Sequence, residues 1–131
     1  QAGAKRVVPL RVSGPFHSPL LNTAGEKLAE VLAPCKLSGL KIPYISNTLA
    51  EPVTDKTKIK DLLTRQISSP VRWRESMEEL IREGVSTFIE IGPGKTLSGF
   101  LKKIDRNAVV YSIQTMEDLE KTVELLKGRN L

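Results

Sequence analysis

The chain has 131 residues, a formal net charge of +5, 40% hydrophobic and 27% charged residues, a composition suited to one compact globular domain with a modest core. No run approaches the roughly 18 to 20 apolar residues of a membrane span and the first residues lack a signal peptide's cleavage pattern, so a cytoplasmic protein with no membrane partner is expected. One cysteine and one histidine exclude an internal disulfide and cannot by themselves build a zinc site; the positive charge suits nucleic acid, an anionic membrane, a phosphorylated cofactor or an acidic protein without choosing among them, and the scattered Lys and Arg, not interleaved with aromatics, disfavour nucleic acid.

In chain order, Val7 to Val12 reads as a short β-branched strand and Ser13-Gly14-Pro15 as a turn. Ser18 and Pro19 then form an N-cap and first-turn pair for a helix whose inward face is Leu20, Ala24, Leu28 and Val31, stopped by Pro34. Lys41 to Ser46 has the length and apolar content of a buried strand, and Asn47 to Asp55 reads as an irregular connection. Ile59, Leu62, Leu63 and Ile67 mark a second helix. Ser69-Pro70 starts a third with Trp73, Met77, Leu80 and Ile81 inward, Arg74 and Glu78 paired one turn apart, and Gly84 at its end. Val85 to Ile91 is a strand running through Gly92-Pro93-Gly94 into a helix with Leu97, Phe100, Leu101 and Ile104 inward. Val109 to Ile113 is another strand, and Thr115 with Asp118 forms a capping box for a last helix with Leu119, Val123 and Leu126 inward. This alternation predicts a single α/β unit over residues 1–131, with a largely parallel sheet and flanking helices.

The strongest chemical candidate is His17, between a turn and the head of a helix, where a neutral imidazole can accept a proton as a general base; a surface or capping histidine is the bland alternative. No Gly-x-Ser-x-Gly elbow supplies a nucleophile: the nearest match, Gly84-Val85-Ser86-Thr87-Phe88, lacks the final glycine and enters a strand. Cys35 is the remaining nucleophile, set against an incidental cysteine after Pro34. Gly92-Pro93-Gly94-Lys95-Thr96 has the wrong glycine spacing for a phosphate loop and reads as a tight strand-to-helix turn. Glu90, a carboxylate within a strand, demands a partner that the sequence does not name.

Four segments in order and spacing, VSGPFHSPL from Val12, ISNTLAEPV from Ile45, QISSPVRW from Gln66 and EIGPGKTLSG from Glu90, resemble the freestanding bacterial malonyl-CoA:acyl-carrier-protein transacylases. The likeness runs over nearly the whole chain. It implies an enzyme of fatty acid biosynthesis that moves malonyl from malonyl-CoA to the pantetheine thiol of an acidic acyl carrier protein. These two are its substrates, and no cofactor is bound. His17 matches the family's base, oriented by a main-chain carbonyl that falls at Gln66; Phe16 matches the position that favours malonyl over bulkier α-substituted groups, and Ser18 and Asn47 are implied substrate-binding residues. No metal ligands are expected.

The resemblance also implies the C-terminal portion of a hydrolase-like large subdomain. The serine on its elbow, the arginine for the malonyl carboxylate, the oxyanion-hole groups and most of a ferredoxin-like subdomain would fall outside these residues. The chain alone is then expected to be inactive, to need the N-terminal half of the same enzyme as partner, and to expose apolar surface that favours dimerisation or poor solubility. A non-catalytic module that binds carrier protein or another subunit is the alternative.

Overall fold

The computed structural model describes Gly3 and residues 7–9 and 12–128. Where the sequence reads as one α/β unit over residues 1–131, the packing forms two compact units. The first comprises the described residues up to Thr48 with Val53–Val71; the second comprises Leu49–Pro52 and the chain from Arg72 onward. Each unit has its own apolar contacts. Among the described residues no helix is long and apolar enough to cross a membrane.

In the first unit, Val7–Pro9 and Val12 are not in a strand, contrary to expectation; Leu10 and Arg11 of the expected run lie outside the described residues. Pro9 removes one ladder donor, and the three valines stay exposed. After a 3-10 turn at Pro19–Leu21 comes α1 (Asn22–Leu32), which ends before Pro34. Its inward face differs from the expected one. Leu20 and Val31 are exposed, whereas Gly25 is buried, with Leu21, Leu28 and Leu32 half-buried on its side. The cause is the approach of α2 (Ile59–Gln66), since a methyl group at Gly25 would lie 3.2 Å from the Thr64 carbonyl oxygen. A leucine stripe alone would hold the helices farther apart. Lys60 adds a second tie by donating to the carbonyl of Ala33 at the end of α1 (2.7 Å), satisfying one of the acceptors a helix C-terminus leaves open.

The strand expected at Lys41–Ser46 is reduced to β1 (Tyr44–Ile45), neighboured by β2 (Pro52–Val53), which falls inside the stretch expected to be irregular. Asp55 closes the turn before α2 by accepting from the Thr57 N–H (2.9 Å) and hydroxyl (2.7 Å).

The second unit is an α/β layer. Helix α3 (Trp73–Arg82) begins later than Ser69-Pro70 suggests, because Arg72 is held out of helical geometry as it donates to the Leu49 carbonyl (2.8 Å) and pairs with Glu75 (3.2 Å). Gly84, at φ +88°, ends the helix in the left-handed conformation that glycine adopts without strain. Strands β3 (Thr87–Ile91) and β4 (Val109–Ile113) pair in parallel with Phe88 opposite Val110 and Glu90 opposite Ser112. A parallel pair requires a crossover, and α4 (Thr96–Ile104) supplies it. Met77, Leu101 and Ala108 form the buried centre, with Trp73, Leu80, Ile81, Phe88, Ile104 and Val110 against it. The α3 face is thus the one its periodicity marks. On α4, Leu97 and Phe100 are exposed instead of inward, and the Lys103 ammonium sits 5.7 Å from the Phe100 ring centre.

Helix α5 (Met116–Lys127) starts with the expected Thr115–Asp118 capping box, but Thr122 is its buried residue, and Leu119 and Val123 remain partly exposed. On the sheet, Ile91 is 79% exposed. The fold is α/β, with a parallel sheet and flanking helices.

Glu90 finds its partner one helix on. Its carboxylate accepts from the backbone N–H of Leu97 (3.1 Å) and Ser98 (2.9 Å) and from the Ser98 hydroxyl, and Ser98 Oγ lies 3.1 Å from Ser112 Oγ. The strand carboxylate therefore caps α4, whose own N-cap Lys95 makes no side-chain bond.

Two measurements test this packing. Gly25→Val should lower stability in urea by about 1–3 kcal/mol, because the added atoms meet a backbone carbonyl that cannot rotate away; an unchanged midpoint would mean that α1 and α2 do not approach this closely. Hydrogen bonds from Ser98 and Leu97 hold the Glu90 carboxyl below its ordinary 4.5, and hydrogen bonds likewise lower Asp118. A depressed carboxyl stabilises the fold above its unfolded pKa and loses that contribution as pH falls through the folded value. The urea midpoint should therefore drop below about pH 4.5, while Glu90→Gln starts lower at neutral pH and falls less steeply.

Candidate active site

All five candidate site residues of the sequence belong to the first unit. His17 follows Pro15 and Phe16 in a tight turn and has φ +56°, a left-handed conformation costing a non-glycine residue about 1–2 kcal/mol. Its neighbours hold it there. The Ser18 hydroxyl donates to the Pro15 carbonyl across the turn (2.7 Å), and Pro19 keeps Ser18 extended at φ −131°, ψ 161°. Ser18 thus occupies the N-cap position without making the side-chain cap its sequence suggests.

The His17 ring crosses to the end of α2, with Nδ1 lying 3.0 Å from the Gln66 carbonyl oxygen. A carbonyl can only accept, so Nδ1 carries the proton in this contact, and a neutral ring then presents Nε2 with its lone pair free. The acceptor is available for a simple reason. The last carbonyls of a helix have no partner within it; Thr64 and Arg65 receive the N–H groups of Ile67 and Ser68, and Gln66 receives His17. The sequence separation is 49 residues; α1, which follows His17, packs against α2, with Gly25 close to the Thr64 carbonyl.

Phe16 is 65% exposed beside this histidine. Asn47 is half-buried in the turn after β1, next to the fully buried Ser46, whose hydroxyl accepts from the Thr48 N–H (3.2 Å). Among the described residues no hydrogen bond joins Asn47 to His17 or Gln66. His17 and Gln66 are brought together, and Phe16 and Ser18 flank His17 along the chain. The Cys35 thiol is exposed and turned back to the end of α1, 3.4 Å from the Val31 carbonyl.

The glycine turn at Gly92–Gly94 offers no phosphate cradle. Glu90 already occupies the first N–H groups of α4, and the Gly94 N–H is taken by Gln114 Oε1 (2.8 Å). Sequence reading singled out Glu90 but not its partner; the signal is a strand glutamate seven and eight residues before the two N–H donors. Among the described residues no three His, Cys, Asp or Glu side chains gather as a metal site. Charge divides unevenly: among the described residues the first unit holds seven Lys and Arg against four Asp and Glu, the second nine against eleven.

No family model matches the chain. The malonyl CoA-acyl carrier protein transacylase of Bacillus subtilis (strain 168) is 50% identical over 128 residues, 98% of this chain and 40% of that protein. Among solved structures, the MCAT of Streptococcus pneumoniae aligns with a TM-score of 0.86 at 49% identity, covering 94% of this chain and 40% of its own. A malonyl-transacylase in complex with its type II PKS acyl-carrier protein aligns with a TM-score of 0.85 at 35% identity, covering 94% and 40%. The chain therefore spans about two fifths of the length of the curated relatives it matches. With half its residues shared with one transacylase and its fold shared with others, the chain belongs to the malonyl CoA-acyl carrier protein transacylase family and corresponds to the C-terminal part of its members.

Proposed function

We propose that this chain supplies the general base of a cytoplasmic malonyl-CoA:acyl-carrier-protein transacylase of fatty acid biosynthesis that works through a serine and a histidine. The observation that carries this reading is the contact between His17 Nδ1 and the Gln66 carbonyl, which leaves Nε2 as a proton acceptor of fixed direction. The serine belongs to the N-terminal part that the relatives possess. Nε2 of His17 takes the serine proton as Oγ bonds to the malonyl carbonyl carbon; the thioester C–S bond breaks, and the coenzyme A thiolate leaves with that proton. In the second half-reaction the pantetheine thiol of the carrier protein gives its proton to Nε2. Its sulfur then takes the malonyl carbon, and the proton returns to serine Oγ.

Gln66 orients the ring through its backbone, Phe16 limits the α-substituent, and Ser18 and Asn47 line the substrate's approach. No bound cofactor enters these steps. The positive excess of the His17-bearing unit suits an acidic carrier protein and the phosphates of coenzyme A.

The test is malonyl transfer from malonyl-CoA to carrier protein, by this chain alone and after adding a separately expressed N-terminal part with the serine. Transfer should appear only on mixing and fall by about 10²–10⁴-fold with His17→Ala. Gln66→Ala, which leaves the carbonyl in place, should cost far less. Transfer by the chain alone would overturn the reading and turn attention to Cys35. Salt-sensitive carrier binding without transfer in any mixture would favour a non-catalytic binding module.

A further inference from the structure

A serine followed by proline at the head of a helix ordinarily caps it, its oxygen accepting from an N–H of the first turn. Ser18 has the extended backbone of that position, φ −131° and ψ 161°, and Pro19 directly after it, yet its side chain makes no capping bond. The hydroxyl instead reaches back three residues and donates to the Pro15 carbonyl at 2.7 Å. Such local side-chain bonds compete with capping, and here the competition is settled in favour of the turn that contains His17. The hydroxyl has one proton to give, and that proton is committed to Pro15.

The residue inside this turn resists it. His17 has φ +56°, a sign that Ala50 alone shares among the described non-glycine residues, so Phe16 before it lies on the ordinary side. A turn whose third residue has positive φ and whose second does not ordinarily takes glycine at the third position, and glycine has no imidazole. The ring is exposed, so packing among the described residues does not fix its direction. That direction rests on the backbone conformation at 17 and on the contact of 3.0 Å between Nδ1 and the Gln66 carbonyl. Were residue 17 to relax to the right-handed region, its Cα–Cβ bond would turn and carry the ring off that carbonyl.

We propose that Ser18 is a positioning residue for the base: its hydroxyl, bonded to the Pro15 carbonyl, holds His17 in the left-handed conformation from which the ring reaches Gln66 and aims Nε2. This rests on the transacylase reading and adds to it a residue that acts through His17 and not on the reacting atoms. The same base serves both half-reactions. Loss of the Ser18 bond therefore slows acylation of the serine by malonyl-CoA and transfer to the carrier thiol alike, and leaves the binding of either substrate unchanged.

The experiment measures kcat, and KM for malonyl-CoA and for carrier protein, in the complete transacylase carrying Ser18→Ala, Ser18→Val or Ser18→Thr. Threonine keeps the hydroxyl, and valine has threonine's shape without it. One hydrogen bond of this kind corresponds to about 3–10-fold in the population of the conformation it holds. Ser18→Ala and Ser18→Val should lower kcat by about that factor with both KM values at the parent's, while Ser18→Thr stays within about 2-fold of the parent. A second readout needs no turnover. In spectra of the enzyme labelled with 15N-histidine, the signal that His17→Gln removes reports the Nδ1–H. Its protection from solvent exchange should persist in Ser18→Thr and fall in Ser18→Ala and Ser18→Val. A KM that rises while kcat holds would place the hydroxyl on the substrate and overturn the inference. Equal losses in Ser18→Thr and Ser18→Val, or parental kcat in Ser18→Ala, would overturn it as well, and each of these leaves the catalytic reading intact. Failure of the catalytic reading shows separately, as malonyl transfer by the parent that survives His17→Ala.

Discussion

A helix cannot satisfy its own ends, and in this protein three helix ends are satisfied by side chains brought from elsewhere in the chain. The carbonyl at the end of α2 takes the ring N–H of His17, the carbonyl at the end of α1 takes the ammonium of Lys60, and the first N–H groups of α4 take the carboxylate of Glu90. The first of these governs the site. Without an open carbonyl at Gln66, a ring on a strained turn at φ +56° would have no partner to hold its direction. Gly25 lets α1 and α2 approach closely within the same unit.

The same device has different meanings in the two units. In the first it orients an imidazole and leaves the opposite nitrogen unused by the fold. In the second it consumes a charge. The N-terminus of α4 follows a strand and a glycine turn, the place where α/β proteins often hold phosphate, but a residue from the preceding strand has already filled it. An anion arriving there would have to displace Glu90 together with its bonds to Leu97 and Ser98.

Much of this was legible in the amino-acid order, and the limits have physical causes. Strand β4 and the Thr115–Asp118 cap were visible because both are local: a β-branched run and an N-cap pair carry their own signal. The face of α3 was visible because its apolar spacing and its burial coincide. The face of α1 was misread because periodicity counts large apolar side chains, and the residue that settles the packing, Gly25, has no side chain. Val7–Val12 has strand-like composition, but composition cannot supply a neighbouring strand. Leu119 and Val123 look like a core stripe on α5, yet Thr122 is the buried residue, since a short hydroxyl side chain also fits against a sheet. At the site, His17 was conspicuous as the single histidine beside a turn, and its link to position 66 came through resemblance to a family. No spacing rule joins a turn to a peptide carbonyl 49 residues away, and none announced that a strand glutamate would cap the next helix.

The acceptor at position 66 belongs to the main chain, and this sets what heredity can do to it. A carboxylate in that role could be erased by one codon change and would leave an invariant acidic residue as its trace. A peptide carbonyl survives almost any replacement of its side chain, so residue 66 can vary among relatives while its oxygen stays in place. The part of the site most resistant to point mutation is thus the part that comparison of residue identities is least able to see. Only alterations of the path of the chain reach it, such as a proline at 67, which would remove the N–H that Ile67 gives to the Thr64 carbonyl (3.3 Å) and reshape the last turn of α2.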